Sequence, residues 1–96
     1  MELHEQLEAV NDERSFIAFA QALQLDRAAA VAAESQVPSS PYGRDAGGWE
    51  NTSIESFLES ALAWAEASDF GASQGLPSTN LWKKFAVFLY CGKIYE

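Results

Sequence analysis

The sequence predicts an all-α fold of about four helices with a long ordered loop between the second and third. Three observations carry this reading. Apolar residues recur at i, i+3, i+4 and i+7, capping residues precede those stretches, and proline and glycine gather in the breaks. The 96 residues suit one domain, 1–96, around one core. An apolar fraction of 48% against 21% charged residues is that of a folding chain.

Leu3, Leu7 and Val10 recur at helical spacing among Glu2, Glu5 and Glu8, so residues 2–10 read as a short amphipathic helix. Asn11 or Asp12 can cap a second, longer helix, and Asp12 and Glu13 in its first turn complement the positive end of the helix dipole. Its stripe is Phe16, Phe19, Ala20 and Leu23, widened by Ile17. The alanine-rich run from Arg27 to Ala33 has high helix propensity and carries the helix to Glu34 or Ser35. Its small side chains permit close approach of another backbone, so residues 28–33 are a candidate face for homo-oligomerisation.

Residues 36–53 hold two of the three prolines and three of the six glycines, which excludes ordinary helix. They also hold Tyr42 and Trp49, which are costly to leave in water. A connection of this length is usually functional or disordered. Thr52 followed by Glu55 matches a capping box and starts the third helix. Ile54, Phe57, Leu58, Ala61, Leu62 and Ala65 form its apolar stripe, with Trp64 on the margin and Glu55, Glu59 and Glu66 toward the opposite face; the helix ends near Ser68 or Asp69. Gly71, Gly75 and Pro77 mark residues 70–79 as turns. Thr79 or Asn80 caps the last helix, whose stripe is Leu81, Trp82, Phe85, Ala86, Phe88 and Leu89, with Lys83 and Lys84 toward solvent. Gly92 is placed as the residue after its end, so Lys93-Ile94-Tyr95-Glu96 should continue extended.

Fourteen acidic residues against six basic ones give a formal charge of −8. That balance argues against nucleic acid or an anionic membrane as partner and would attract a basic protein instead, while the first reading of such charge is plain solubility. No apolar run reaches the roughly 20 residues that cross a bilayer. The lone Cys91 excludes an internal disulfide, and Met-Glu-Leu-His-Glu does not resemble a signal peptide, so a cytoplasmic location is expected. Without that signal the Asn51-Thr52-Ser53 sequon reads as coincidence.

The chemistry-bearing residues are few. One His4 and one Cys91 cannot assemble a zinc site, and no acidic loop has calcium-binding spacing. His4 lies near a terminus, away from any defined nucleophile. Glycines 47 and 48 do not form a phosphate loop, so no cofactor is expected. Glu50 beside Trp49 is the best candidate acid or base among the carboxylates, because an apolar neighbour can raise a carboxyl pKa. The stronger alternative is structural: Trp49 packs on the helical core and Glu50 sits near the positive end of the next helix.

The ordered pattern Val10-Asn11-Asp12-Glu13, Ser39-Ser40-Pro41-Tyr42-Gly43, Gly48-Trp49-Glu50-Asn51, Ile54-Glu55-Ser56-Phe57-Leu58-Glu59, Ala63-Trp64-Ala65, Trp82-Lys83-Lys84-Phe85-Ala86 and Gly92-Lys93-Ile94-Tyr95-Glu96 says more than any single residue. It resembles a family of small bacterial proteins of unknown function that share the Trp-Glu-Asn segment and the closing Gly-Lys-Ile-Tyr-Glu. The resemblance spans nearly the whole chain and implies a single domain without assigning a reaction, cofactor or catalytic residue. It directs attention to Trp49, Glu50 and Asn51 together with the C-terminal segment. In a folding role, Tyr42, Trp49, Trp64, Trp82 and Tyr95 close the core beneath the loop, and Ile94 and Tyr95 anchor the tail.

The leading expectation is a non-enzymatic, acidic protein-interaction module, with an immunity- or antitoxin-like inhibitor of a basic nuclease as one concrete form. Tyr42, Arg44, Trp49, Glu50 and Asn51 are its candidate binding residues. The alternative is a small-molecule-binding protein or enzyme whose pocket is lined by Tyr42, Trp49, Trp82 and Tyr95, with Arg44 or Glu50 as the polar group.

Overall fold

A computed structural model describes residues 2–36, 48–77 and 79–95. Four α-helices follow one another in it: α1 (Leu3–Glu8), α2 (Glu13–Gln36), α3 (Ile54–Ala67) and α4 (Leu81–Ile94). The fold is all-α, and the described residues contain no β-strand element. Residues 37–47 of the expected long loop, with Tyr42 and Arg44, lie outside the described residues.

α4 is the hub, packing on α3 most extensively and also on α2 and α1, while α1 lies on α2. α2 and α3 barely meet. The core joins Val10, Phe19, Leu23, Ala30, Trp49 and Ala86, with Phe16, Phe57, Leu89 and Tyr90 packed around it. Ala30 is thus the member of the alanine run that is buried; Ala28, Ala29, Ala32 and Ala33 are exposed.

Capping sets the helix starts. The Asp12 carboxylate accepts the Ser15 amide at 2.8 Å and so opens α2. That bond to the backbone holds the Asp12 pKa below its ordinary value, helped by the Ser15 hydroxyl. Asn80 caps α4 by accepting the Lys83 amide at 3.0 Å. α3 starts one residue later than expected. Its cap is Ser53, which accepts the Ser56 amide at 3.1 Å, while the Ser56 hydroxyl receives the Ser53 amide at 3.3 Å. Thr52 stands outside this box, and its carbonyl accepts from the Arg27 guanidinium instead.

Which face of α3 is buried also differs from the expectation. Trp64, expected at the margin, is buried, and its indole N–H donates to the Gln74 side chain at 2.8 Å. Ile54, Leu58 and Leu62, expected in the core, are exposed. The cause lies in the turn after α3. Asp69 and Phe70 take left-handed backbone (φ 52° and 51°), at a cost of roughly 1–2 kcal/mol each. That turn carries the Phe70 ring back against Trp64, Phe85 and Phe88, which draws the Trp64 side of α3 inward.

Two expectations about α4 are corrected. Lys83 is not a solvated lysine: its ammonium donates to the Leu7 and Glu8 carbonyls at 2.7 and 2.6 Å, capping the end of α1. Partial burial there lowers its pKa. Gly92 does not end the helix, which runs on through Lys93 and Ile94 before Tyr95 turns extended. Its role is close approach, since a Cβ at this position would lie 2.6 Å from Phe57 ring carbons. Glycine therefore lets α3 and α4 meet.

Candidate functional site

Trp49 is 4% exposed and sits where α2, α3 and α4 converge. Its indole N–H donates to Asp26 Oδ2 at 2.9 Å, and the Lys93 ammonium donates to the same oxygen at 2.6 Å. Lys93 Nζ and the Arg27 guanidinium lie 5.4 and 5.2 Å from the Trp49 ring centre, within cation–π range. Phe57 stacks against the ring at 6.3 Å. One carboxylate oxygen thereby ties α2, the segment before α3 and the end of α4 into one node.

The residues after Trp49 extend this clasp. The Glu50 amide donates to the Lys93 carbonyl at 3.0 Å. Asn51 Nδ2 donates to the Gly92 and Tyr95 carbonyls, both at 3.0 Å. Both partners are acceptors that the end of α4 leaves without intrahelical donors, so a carboxamide nitrogen suits the position. The Trp-Glu-Asn segment and the Gly-Lys-Ile-Tyr segment are therefore two sides of one contact. A separate patch of aromatics, Phe16, Trp82 and Phe85, lies elsewhere on α2 and α4.

The same node floors a groove between α2 and α3. Its volume is about 440 Å³, and its lining includes Ala20, Leu23, Gln24 and Arg27 from α2, Trp49 and Phe57 below, and Ile54 and Leu58 from α3. The walls are largely apolar and one side is open. The groove exists because α2 and α3 are held through Trp49 and α4 instead of by direct packing. A more polar hollow of about 350 Å³ on the other flank of α3 is lined by Glu50, Asn51, Ser56, Glu59, Ser60 and Ala63.

Of the sequence-predicted site residues, Trp49, Glu50 and Asn51 are together, with Trp49 and Asn51 engaged in the clasp. Tyr42 and Arg44 lie outside the described residues. Trp82 and Tyr95 do not line the groove beside Trp49. The residues that sequence reasoning missed are Asp26, Arg27 and Lys93 as partners of Trp49, and Ile54 and Leu58 as an exposed wall. One signal for Asp26 was present: it follows Phe19 by seven residues and Leu23 by three, which places a carboxylate on the buried face of α2.

Reactive chemistry is sparse in this geometry. Burial pushes the Cys91 thiol up from 9.0 to about 11, which suppresses the thiolate at neutral pH. His4 is exposed on α1. Among the described residues no group of three or more His, Cys, Asp or Glu side chains is arranged to hold a metal ion. No helix among them is long and apolar enough to cross a membrane.

A family model described as Family of unknown function (DUF7660) matches residues 12–96. The chain belongs to that family. The DUF7660 match takes in both halves of the Trp49 clasp and both walls of the groove. Lys83, inside the matched span, reaches outside it to cap α1. No curated protein and no solved structure matches the chain.

Proposed function

We propose that this DUF7660 chain is a non-enzymatic protein-interaction module whose binding surface is the apolar groove between α2 and α3. The observation that carries the reading is the row Ile54, Leu58 and Leu62 on α3, which is 77, 46 and 52% exposed. Isolated exposed apolar residues are ordinary, but a row beside a groove marks an interaction site. The formal charge of −8 supports a basic partner, attracted at long range. The narrower form of this reading is an immunity- or antitoxin-like inhibitor that covers the basic site of a toxic nuclease. Its setting is a reducing bacterial cytoplasm, in keeping with the single Cys91.

Trp49 and Asn51 remain in the lining of the groove, but their side-chain N–H groups are engaged with Asp26 and with the end of α4, so the partner contact is assigned to the apolar row of α3. Purified partner should bind more weakly at high salt and after charge reversal at Glu55, Glu59 and Glu66. Affinity indifferent to both changes would count against an acidic interaction surface.

A further inference from the structure

Ile54 and Leu58 line the groove, and Leu62 continues their row beyond it with the spacing of a helix-recognition surface. Ile54, Leu58 and Leu62 stand four residues apart, so their side chains form one continuous row over about two turns. Ala20, Leu23 and Gln24 of α2 face Ile54 and Leu58 across the groove, above Trp49 and Phe57. Glu55 and Glu59 each follow a member of the row by one residue, a step of about 100° around the helix. Together with Glu66 they are exposed, on the side of the apolar row away from the groove, where Glu59 also borders the polar hollow.

We propose that this groove binds a single amphipathic α-helix of a basic partner protein. Apolar side chains of that helix, three or four residues apart, would enter between α2 and α3, and its lysines or arginines would face Glu55, Glu59 and Glu66. The inference rests on the interaction-module reading and adds the shape and charge of the partner. Charge complementarity selects this occupant over a second copy, which would bring another −8 and a matching acidic row to the contact. An extended strand would lack a sheet edge, because both walls are helices whose backbone groups bond internally. A small ligand would stay largely exposed in a groove open along one side, unlike one in an enclosing pocket.

The test uses the full chain, labelled with ¹⁵N, and a synthetic helix of about 18 residues, five turns, with leucines at i, i+4 and i+8 and lysine and alanine elsewhere. Amide shifts should centre on Ala20, Gln24, Ile54 and Leu58. Leu58→Asn should weaken the peptide at least about tenfold while the protein stays folded, read from its dispersed amide spectrum, since the side chain is nearly half exposed. A Glu55→Lys, Glu59→Lys double variant should weaken it and flatten its salt dependence, and a peptide with glutamate for lysine should not bind. Absence of shifts at about 1 mM peptide, shifts centred elsewhere, or undiminished binding by Leu58→Asn would overturn the inference. A dimer abolished by Leu58→Asn would overturn it in favour of a second copy. If a purified natural partner occupies the groove with a loop or another non-helical segment, the helix inference fails and the module reading stands; if it binds a different face, or if purified candidate partners bind no face, both fail.

Discussion

Asp26 and Lys93, 67 positions apart in the chain, form a 2.6 Å ion pair on a carboxylate oxygen that also receives the Trp49 indole N–H. The Lys93 side chain is 9% exposed and that of Asp26 31%, so one partner of the pair is nearly desolvated. A buried ammonium left alone is costly, whereas the intact pair can contribute little net stability. Removing Asp26 should therefore hurt more than removing both charges. Asp26→Asn is expected to cost about 2–4 kcal/mol and the Asp26→Asn, Lys93→Met double variant less than Asp26→Asn alone. A double-mutant cycle in urea checks this.

Gly92 offers a reversal of sign. In an open helix, glycine to alanine stabilises by about 1 kcal/mol. Here the added methyl would meet the Phe57 ring, so Gly92→Ala should destabilise by about 1–3 kcal/mol. Phe57→Leu in the Gly92→Ala background should recover part of the loss, read from denaturation midpoints.

Asn51 distinguishes hydrogen bonding from packing. Asn51→Ala removes two donors and should cost about 1–3 kcal/mol. Asn51→Asp keeps the shape but turns a carboxylate toward two carbonyl oxygens, so it should cost more than the alanine change and speed amide exchange at the end of α4.

Much of the fold could be read from periodicity and capping, because Asp12 and Asn80 start their helices by local bonds. The helix count and the burial of Phe19 and Leu23 follow from the same rules. The start of α3 moved because two serines three apart, Ser53 and Ser56, complete a box as Thr52 and Glu55 would. What escaped is long-range. Gly92 has the local signature of a helix end, and only the approach of Phe57 reveals its other use. Lys83 reads as a solvated lysine until α1 presents its carbonyls. The groove arises from the separation of two helices, which spacing within either helix does not encode.

Cys91 predicts an alkaline loss of stability. Its folded pKa is raised from 9.0 to about 11, so the unfolded chain releases the thiol proton first. The contribution is fully present below pH 9 and is lost as pH rises toward 11. Lys83, whose folded pKa is lowered, acts in the opposite sense at alkaline pH. The difference between wild type and Cys91→Ala isolates the thiol, and urea midpoints at pH 7, 9 and 10.5 should show it shrinking.

The most direct measurement of whether the Trp-Glu-Asn segment is a structural clasp is equilibrium denaturation of Trp49→Ala. A structural clasp requires a loss of about 3–5 kcal/mol, with a broadened or absent cooperative transition. Cooperative unfolding at the wild-type midpoint would contradict it and return Trp49 to the binding surface.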